Sequence, residues 1–140
     1  MNERPQKGIA VDVGCKGNPG KTEYRGVDLE TGETLFYVKI AGDSTNNIGE
    51  YLAAVHGLRY AKKRGLKVWS DSMTAISWVR KKECKTNFKV TNEQQKSLIE
   101  LCLIFLNDNK ESVINFWNNK AFGEIPADLS GKKGIKFNRP

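Results

Sequence analysis

The chain has 140 residues, 39% hydrophobic and 28% charged, and its 23 Lys and Arg against 16 Asp and Glu give a formal net charge of +7. A single domain of this length buries roughly two-thirds of its unfolded surface and needs no disulfide or metal to fold. The basic excess favours a polyanionic partner, and with no apolar run long enough to span a bilayer and no lipidation signal, a membrane is set aside.

Residues 7–14, KGIAVDVG, read as a strand apolar on both faces. The stretches 23–30 and 33–40 alternate weakly, with Thr31 and Gly32 between them, which predicts a hairpin. Residues 41–46, AGDSTN, read as polar turn material. A helix is expected from about Asn47 to Arg64, with Leu52, Val55 and Leu58 on its apolar side and Gly65 ending it. A short strand at 66–70 and a helix at 72–81 follow. Residues 82–92 are basic and irregular. A helix at 92–107 carries Leu98, Leu101, Cys102 and Phe105 on one stripe, and SVINFWN at 112–118 is the fifth strand. A short helix or turn closes the domain, taken as residues 1–130; residues 131–140 read as a loose basic tail. The order implies an α/β fold with a mixed sheet, an antiparallel hairpin beside parallel crossovers.

The three cysteines, Cys15, Cys84 and Cys102, form neither a Cys-x-x-Cys pair nor a zinc spacing. The opening MNERPQKG lacks the apolar core of a signal peptide. A reducing, cytoplasmic setting is expected.

Asp12 is the most informative residue. It lies inside Ile9-Ala10-Val11-Asp12-Val13, where an ionised carboxylate costs several kcal/mol unless it is paired or bound to metal. A buried Arg or Lys partner explains it as well as a metal does. Asp71 ends the strand LKVWS, at the position where ligands gather in α/β sheets; taken alone it better suits capping the next helix, although Ser72 can do that too. Glu50 suits the dipole of its helix start but shares a face with Ala53, Ala54 and Gly57, which would turn it toward the sheet. Asp128, in GEIPADLS, has only a possible cap to recommend it. Four such carboxylates at one sheet edge would repel one another, and a divalent ion that prefers oxygen ligands, such as magnesium, relieves that repulsion.

The stretches VDVGCKGNPG (11–20), STNNIGEYLAAVHGL (44–58), WSDS (69–72) and WNNKAFGEIPADL (117–129) together resemble the type 1 ribonucleases H. The resemblance implies a ribonuclease H-like, five-stranded mixed sheet of order 3-2-1-4-5 flanked by helices. It implies an endonuclease that cleaves the RNA strand of RNA/DNA hybrids, leaving 5′-phosphate and 3′-hydroxyl ends. Two Mg2+ ions would serve it, with Mn2+ as an alternative. Asp12 would bridge both ions, Glu50 and Asp71 would hold one, and Asp128 the other. Cys15, Gly17, Asn18, Thr45, Asn46 and Asn47 resemble the family's contacts to the hybrid, whose minor groove displays the RNA 2′-hydroxyls. Asn18 is also plain turn chemistry.

Two departures stand out. The family's mobile histidine before the last Asp has no counterpart, since the one histidine is His56 in the long helix; Glu124 is the candidate to replace it. The family's basic handle is reduced to RKKECKTNFKV, where Lys81, Lys82 and Lys85 are candidate phosphate contacts beside the reading as a solvated face. A DNA nuclease of the same fold and a noncatalytic hybrid-binding protein are the competing readings. The first lacks a use for the GNPG and TNN segments, and the second predicts a lost carboxylate. A monomer is expected.

Overall fold

The structure is a computed structural model that describes residues 3–129. The basic tail expected at 131–140 lies outside those residues. Five strands form one sheet: β1 (Ile9–Lys16), β2 (Gly20–Asp28), β3 (Thr34–Ser44), β4 (Val68–Ser70) and β5 (Ile114–Phe116), in the order β3-β2-β1-β4-β5. β1, β2 and β3 pair antiparallel, and β4 pairs parallel with both β1 and β5. The helices are α1 (Asn46–Lys62), α2 (Met73–Lys81), α3 (Glu93–Asp108) and α4 (Asn119–Phe122). The expected mixed sheet and strand order are both present.

Strand β3 runs through the segment expected to be a turn. Its end is held by pairing of Asp43 and Ser44 with Lys21 and Gly20, across a register shift near Thr22. The buried Gln95 adds to this by donating to the carbonyls of Ala41 (3.1 Å) and Asp43 (3.0 Å). That amide also alters the expected stripe of α3. Gln95, Cys102 and Leu106 face inward, whereas Leu101 is 53% exposed.

The sheet is covered differently on its two faces. On one, Ile9, Val11 and Val13 alternate with Ala10 and Asp12 and meet α1, with α2 and α3 packed alongside. On the other, Ala10 and Val27 meet Trp117, Ile125 and Ala127 from the C-terminal segment. Trp117 is completely buried, and its indole N–H donates to the Gly123 carbonyl at 2.9 Å. Arg4 lies over its ring and donates to the Phe122 carbonyl.

Small residues let α1 lie close to the sheet. A Cβ on Gly49 would stand 2.3 Å from Val13 Cγ2 and 2.8 Å from Thr22 Cγ2. A Cβ on Gly57 would meet Val68 and Val11 at 3.0 and 3.1 Å. Gly49 therefore sets the depth at which the next residue, Glu50, enters the protein. Overpacking costs about 1–3 kcal/mol and the gain in helix propensity returns about 1 kcal/mol, so Gly49→Ala should lower unfolding free energy by up to about 2 kcal/mol in a urea titration.

Candidate active site

Asp12 reaches the site by strand register. β1 pairs with β4 as Ile9↔Val68 and Ala10↔Trp69, and the same offset carried past Ser70 sets Asp71 beside Asp12. Asp71 is released from capping duty by its neighbour: the Ser72 hydroxyl accepts the Ala75 N–H at 3.0 Å and caps α2. Glu50 comes from the first turns of α1, whose N-cap is Thr45, its hydroxyl accepting the Ile48 N–H at 3.2 Å.

Asp12, Glu50 and Asp71 each offer a carboxylate oxygen, and these lie within 4.8 Å of one another. Asp12 and Glu50 are buried, at 6% and 5% exposure, and Asp71 is half-buried. Asp128 stands outside that tight group but near enough for its charge to act on Asp12. It follows the Ile125–Ala127 stretch, which is packed under the sheet.

Burial, then the charge of Asp71, holds the Asp12 carboxyl well above the usual carboxylate range, against the pull of a hydrogen bond from the Val13 backbone. Burial, then the charge of Asp12, does the same to Glu50. The Oε1 of Glu50 is buried and has no hydrogen-bond partner. An orphaned acceptor among three converging carboxylates, with no His or Cys in the group, fits a hard cation that takes oxygen ligands.

Two of the polar segments meet. The Asn18 side-chain carbonyl accepts the Asn46 N–H at 2.9 Å, tying the β1–β2 loop to the start of α1. Asn18, Asn46 and Asn47 are all exposed there. The half-buried Cys15 thiol donates to the Gly17 carbonyl at 2.6 Å and lies 3.1 Å from the Thr22 hydroxyl. The lysines stand apart. Lys81 and Lys82 close the far end of α2, about 13 Å along a nine-residue helix from Ser72, with Lys82 in the left-handed conformation as its C-cap. Lys81 and Lys85 are exposed. Glu124 is half-buried between α4 and Asp128.

His56 is half-buried and away from the carboxylates. Its Nδ1 is 2.8 Å from the Tyr24 hydroxyl, and its ring stacks on Phe36 at 3.9 Å. Burial lowers its pKa to about 4, so the ring is neutral at physiological pH.

Two residues at the site carried no signal in the sequence. Asn119 donates from Nδ2 to Asp71 Oδ2 at 3.0 Å and accepts the Ile125 N–H on Oδ1 at 3.1 Å, so one amide links Asp71 to the segment leading to Asp128. Arg25 lies opposite Asp12 in the β1–β2 pairing. Only the register, not composition or spacing, could have singled it out.

The comparisons with known proteins bear on the family and the fold. No family model matches the chain. A ribonuclease H of Rickettsia canadensis is 32% identical over 152 aligned residues, covering 96% of this chain and 92% of the relative. The chain belongs to the ribonuclease H family. The protease–reverse transcriptase of prototype foamy virus matches in fold with a TM-score of 0.51, at 16% identity over 99% of this chain and 22% of that one. The LC11 ribonuclease H1, solved with an RNA/DNA hybrid, aligns with a TM-score of 0.44 and 23% identity over 78% of this chain and 81% of its own. Among the described residues, no helix is long and apolar enough to cross a membrane.

In the metal-free protein the raised carboxyls have a thermodynamic sign. A carboxyl whose folded pKa is raised stabilises the fold below its unfolded value, near 4, and that stability is lost as pH rises through the folded value. Metal-free Asp12→Asn should therefore melt higher than the natural protein at pH 7, by about 3–4 °C, the shift about 1 kcal/mol produces in a domain of this size. Magnesium should raise the melting temperature of the natural protein more than that of the variant. Calorimetric scans with and without chelator check both.

Proposed function

We propose that this ribonuclease H hydrolyses the RNA strand of RNA/DNA hybrids, leaving 5′-phosphate and 3′-hydroxyl ends, with Mg2+ as its natural metal and Mn2+ as a substitute. The observation that carries the reading is the convergence of Asp12, Glu50 and Asp71 with a buried, unpartnered Glu50 oxygen. Asp12, Glu50 and Asp71 would hold one ion, and Asp12 with Asp128 a second. When bound, the ions would supply Lewis-acid activation of water and neutralise charge at the leaving oxygen.

The chain's own groups do the rest. Burial of Asp12 and Glu50 excludes water from one side of the site, so that their attraction for a bound cation would be weakly screened. Asn119 orients Asp71 through its amide. The exposed amides of Asn18, Asn46 and Asn47, together with Gly17, Cys15 and Thr45, would meet a groove lined with 2′-hydroxyls. Thr45 uses its hydroxyl as the cap of α1, so it would serve this contact by fixing the helix start. Lys81 and Lys85, and Lys82 between them, would meet phosphates farther along the duplex. Glu124 is placed in the loop before Asp128, where a polar group could act in proton transfer or product release.

Labelled RNA/DNA, RNA/RNA, DNA/DNA and single-stranded RNA, offered with magnesium, manganese or chelator, test the whole reading. Cleavage should be confined to the RNA of the hybrid and cease with chelator. Asp12→Asn should slow it by about a thousandfold or more, since a metal supplies several kcal/mol and each ~1.4 kcal/mol is tenfold. Cleavage of plain DNA duplex would favour the DNA-nuclease alternative, and binding without cleavage a noncatalytic protein. In the same panel, unchanged turnover and metal dependence for Glu124→Ala would remove Glu124 from the mechanism.

A further inference from the structure

The segment 123–129 forms no helix or strand, yet it ends at a carboxylate whose place matters to the site. Its buried side chains, Ile125, Ala127 and Leu129, fix how deep it lies. Apolar contact is not directional, so it does not fix where along the sheet the backbone stops. Directional contacts come from Arg25. Its guanidinium donates from Nε to the Ala127 carbonyl at 3.1 Å and from Nη2 to the carbonyls of Pro126 and Asp128 at 3.4 Å each. Its Nη1 points to the Thr34 hydroxyl at 3.4 Å, which anchors the fork to β3. A planar fork of donors can meet three successive carbonyls, whereas a lysine would offer one point charge.

Arg25 is also set between the acidic groups. It pairs with Asp12 in the β1–β2 register; burial works against its charge, and the charges of Asp12 and Asp128 work in its favour. The same side chain thus touches the backbone that carries Asp128 and lies within electrostatic reach of the carboxylate at the centre of the site.

We propose that Arg25 is a positioning residue: it fixes the backbone of Pro126, Ala127 and Asp128 against β2 and so sets where the Asp128 carboxylate stands relative to Asp12. The inference rests on the reading of Asp128 as the fourth carboxylate of the site. It assigns the fork geometry, not the charge, as the property that matters.

Amide hydrogen exchange and steady-state kinetics on Arg25→Ala, Arg25→Lys, Asp128→Asn and the Arg25→Ala/Asp128→Asn double variant test it. The Ala127, Asp128 and Leu129 amides should exchange at least about tenfold faster in both Arg25 variants, with Val11 and Val13 unchanged. In both, kcat on the hybrid should fall by about 10- to 100-fold, as expected for a misplacement on the order of 1 Å, while KM for the hybrid holds. The double variant should be no slower than Asp128→Asn alone, because the two act as one unit. Unchanged exchange in the segment overturns the proposal. So does a double variant whose losses multiply, or full turnover in Arg25→Lys, which would make charge the operative property. Full turnover in Asp128→Asn alone would instead remove Asp128 from the catalytic reading, and the exchange rates would then decide whether Arg25 holds the segment.

Discussion

Mutual repulsion among carboxylates in a buried place governs this structure. Asp12 and Glu50 are nearly inaccessible, and Asp71 joins them within a few ångströms. Removing ionised carboxylates from water costs several kcal/mol each, and bringing them together adds to the cost. A fold that keeps such a group holds it at the expense of its own stability. The compensating cation is the natural reason to do so, and the all-oxygen donor set states which class of cation it would be.

Much of the surrounding architecture serves to hold these groups where they would not stay unaided. The glycines of α1 bring the helix against Val13 and Val68 closely enough for Glu50 to enter beneath the sheet edge. The parallel register of β1 and β4 brings Asp71 to Asp12, and Ser72, not Asp71, caps α2. Asn119 ties Asp71 to the C-terminal segment, and Arg25 ties that segment to β2. The carboxylate group draws on three regions of the chain, and a fourth would bring Asp128 to it, each positioned by directional hydrogen bonds or by the absence of a Cβ. Apolar burial around Trp117 supplies the floor on which the last of them lies.

The readable parts of the sequence were those with a local conflict. A carboxylate in the apolar run of β1 announces Asp12, and small residues around Glu50 announce a helix meant to lie close. Strand order and site membership came with the resemblance to ribonucleases H, and the 32% identity to the Rickettsia canadensis enzyme supports it. The unreadable parts depend on partners distant in sequence. AGDSTN looks like a turn because nothing nearby reveals that Gly20 and Lys21 will pair with it. Gln95 looks like a surface residue of α3 until the carbonyls of Ala41 and Asp43 are seen beneath it. Arg25 is one more cation in a basic chain until register sets it against Asp12. Local periodicity cannot see such contacts, because tertiary pairing creates them.

The central claim is that Asp12, Glu50 and Asp71 form the cation site of a hybrid-cleaving nuclease. Anomalous diffraction from crystals grown with manganese, with and without bound RNA/DNA hybrid, tests it most directly. An anomalous peak is expected among the oxygens of Asp12, Glu50 and Asp71, with the hybrid's RNA strand running across it. Manganese bound elsewhere, with those three carboxylates left without an ion while the hybrid is in place, would contradict it.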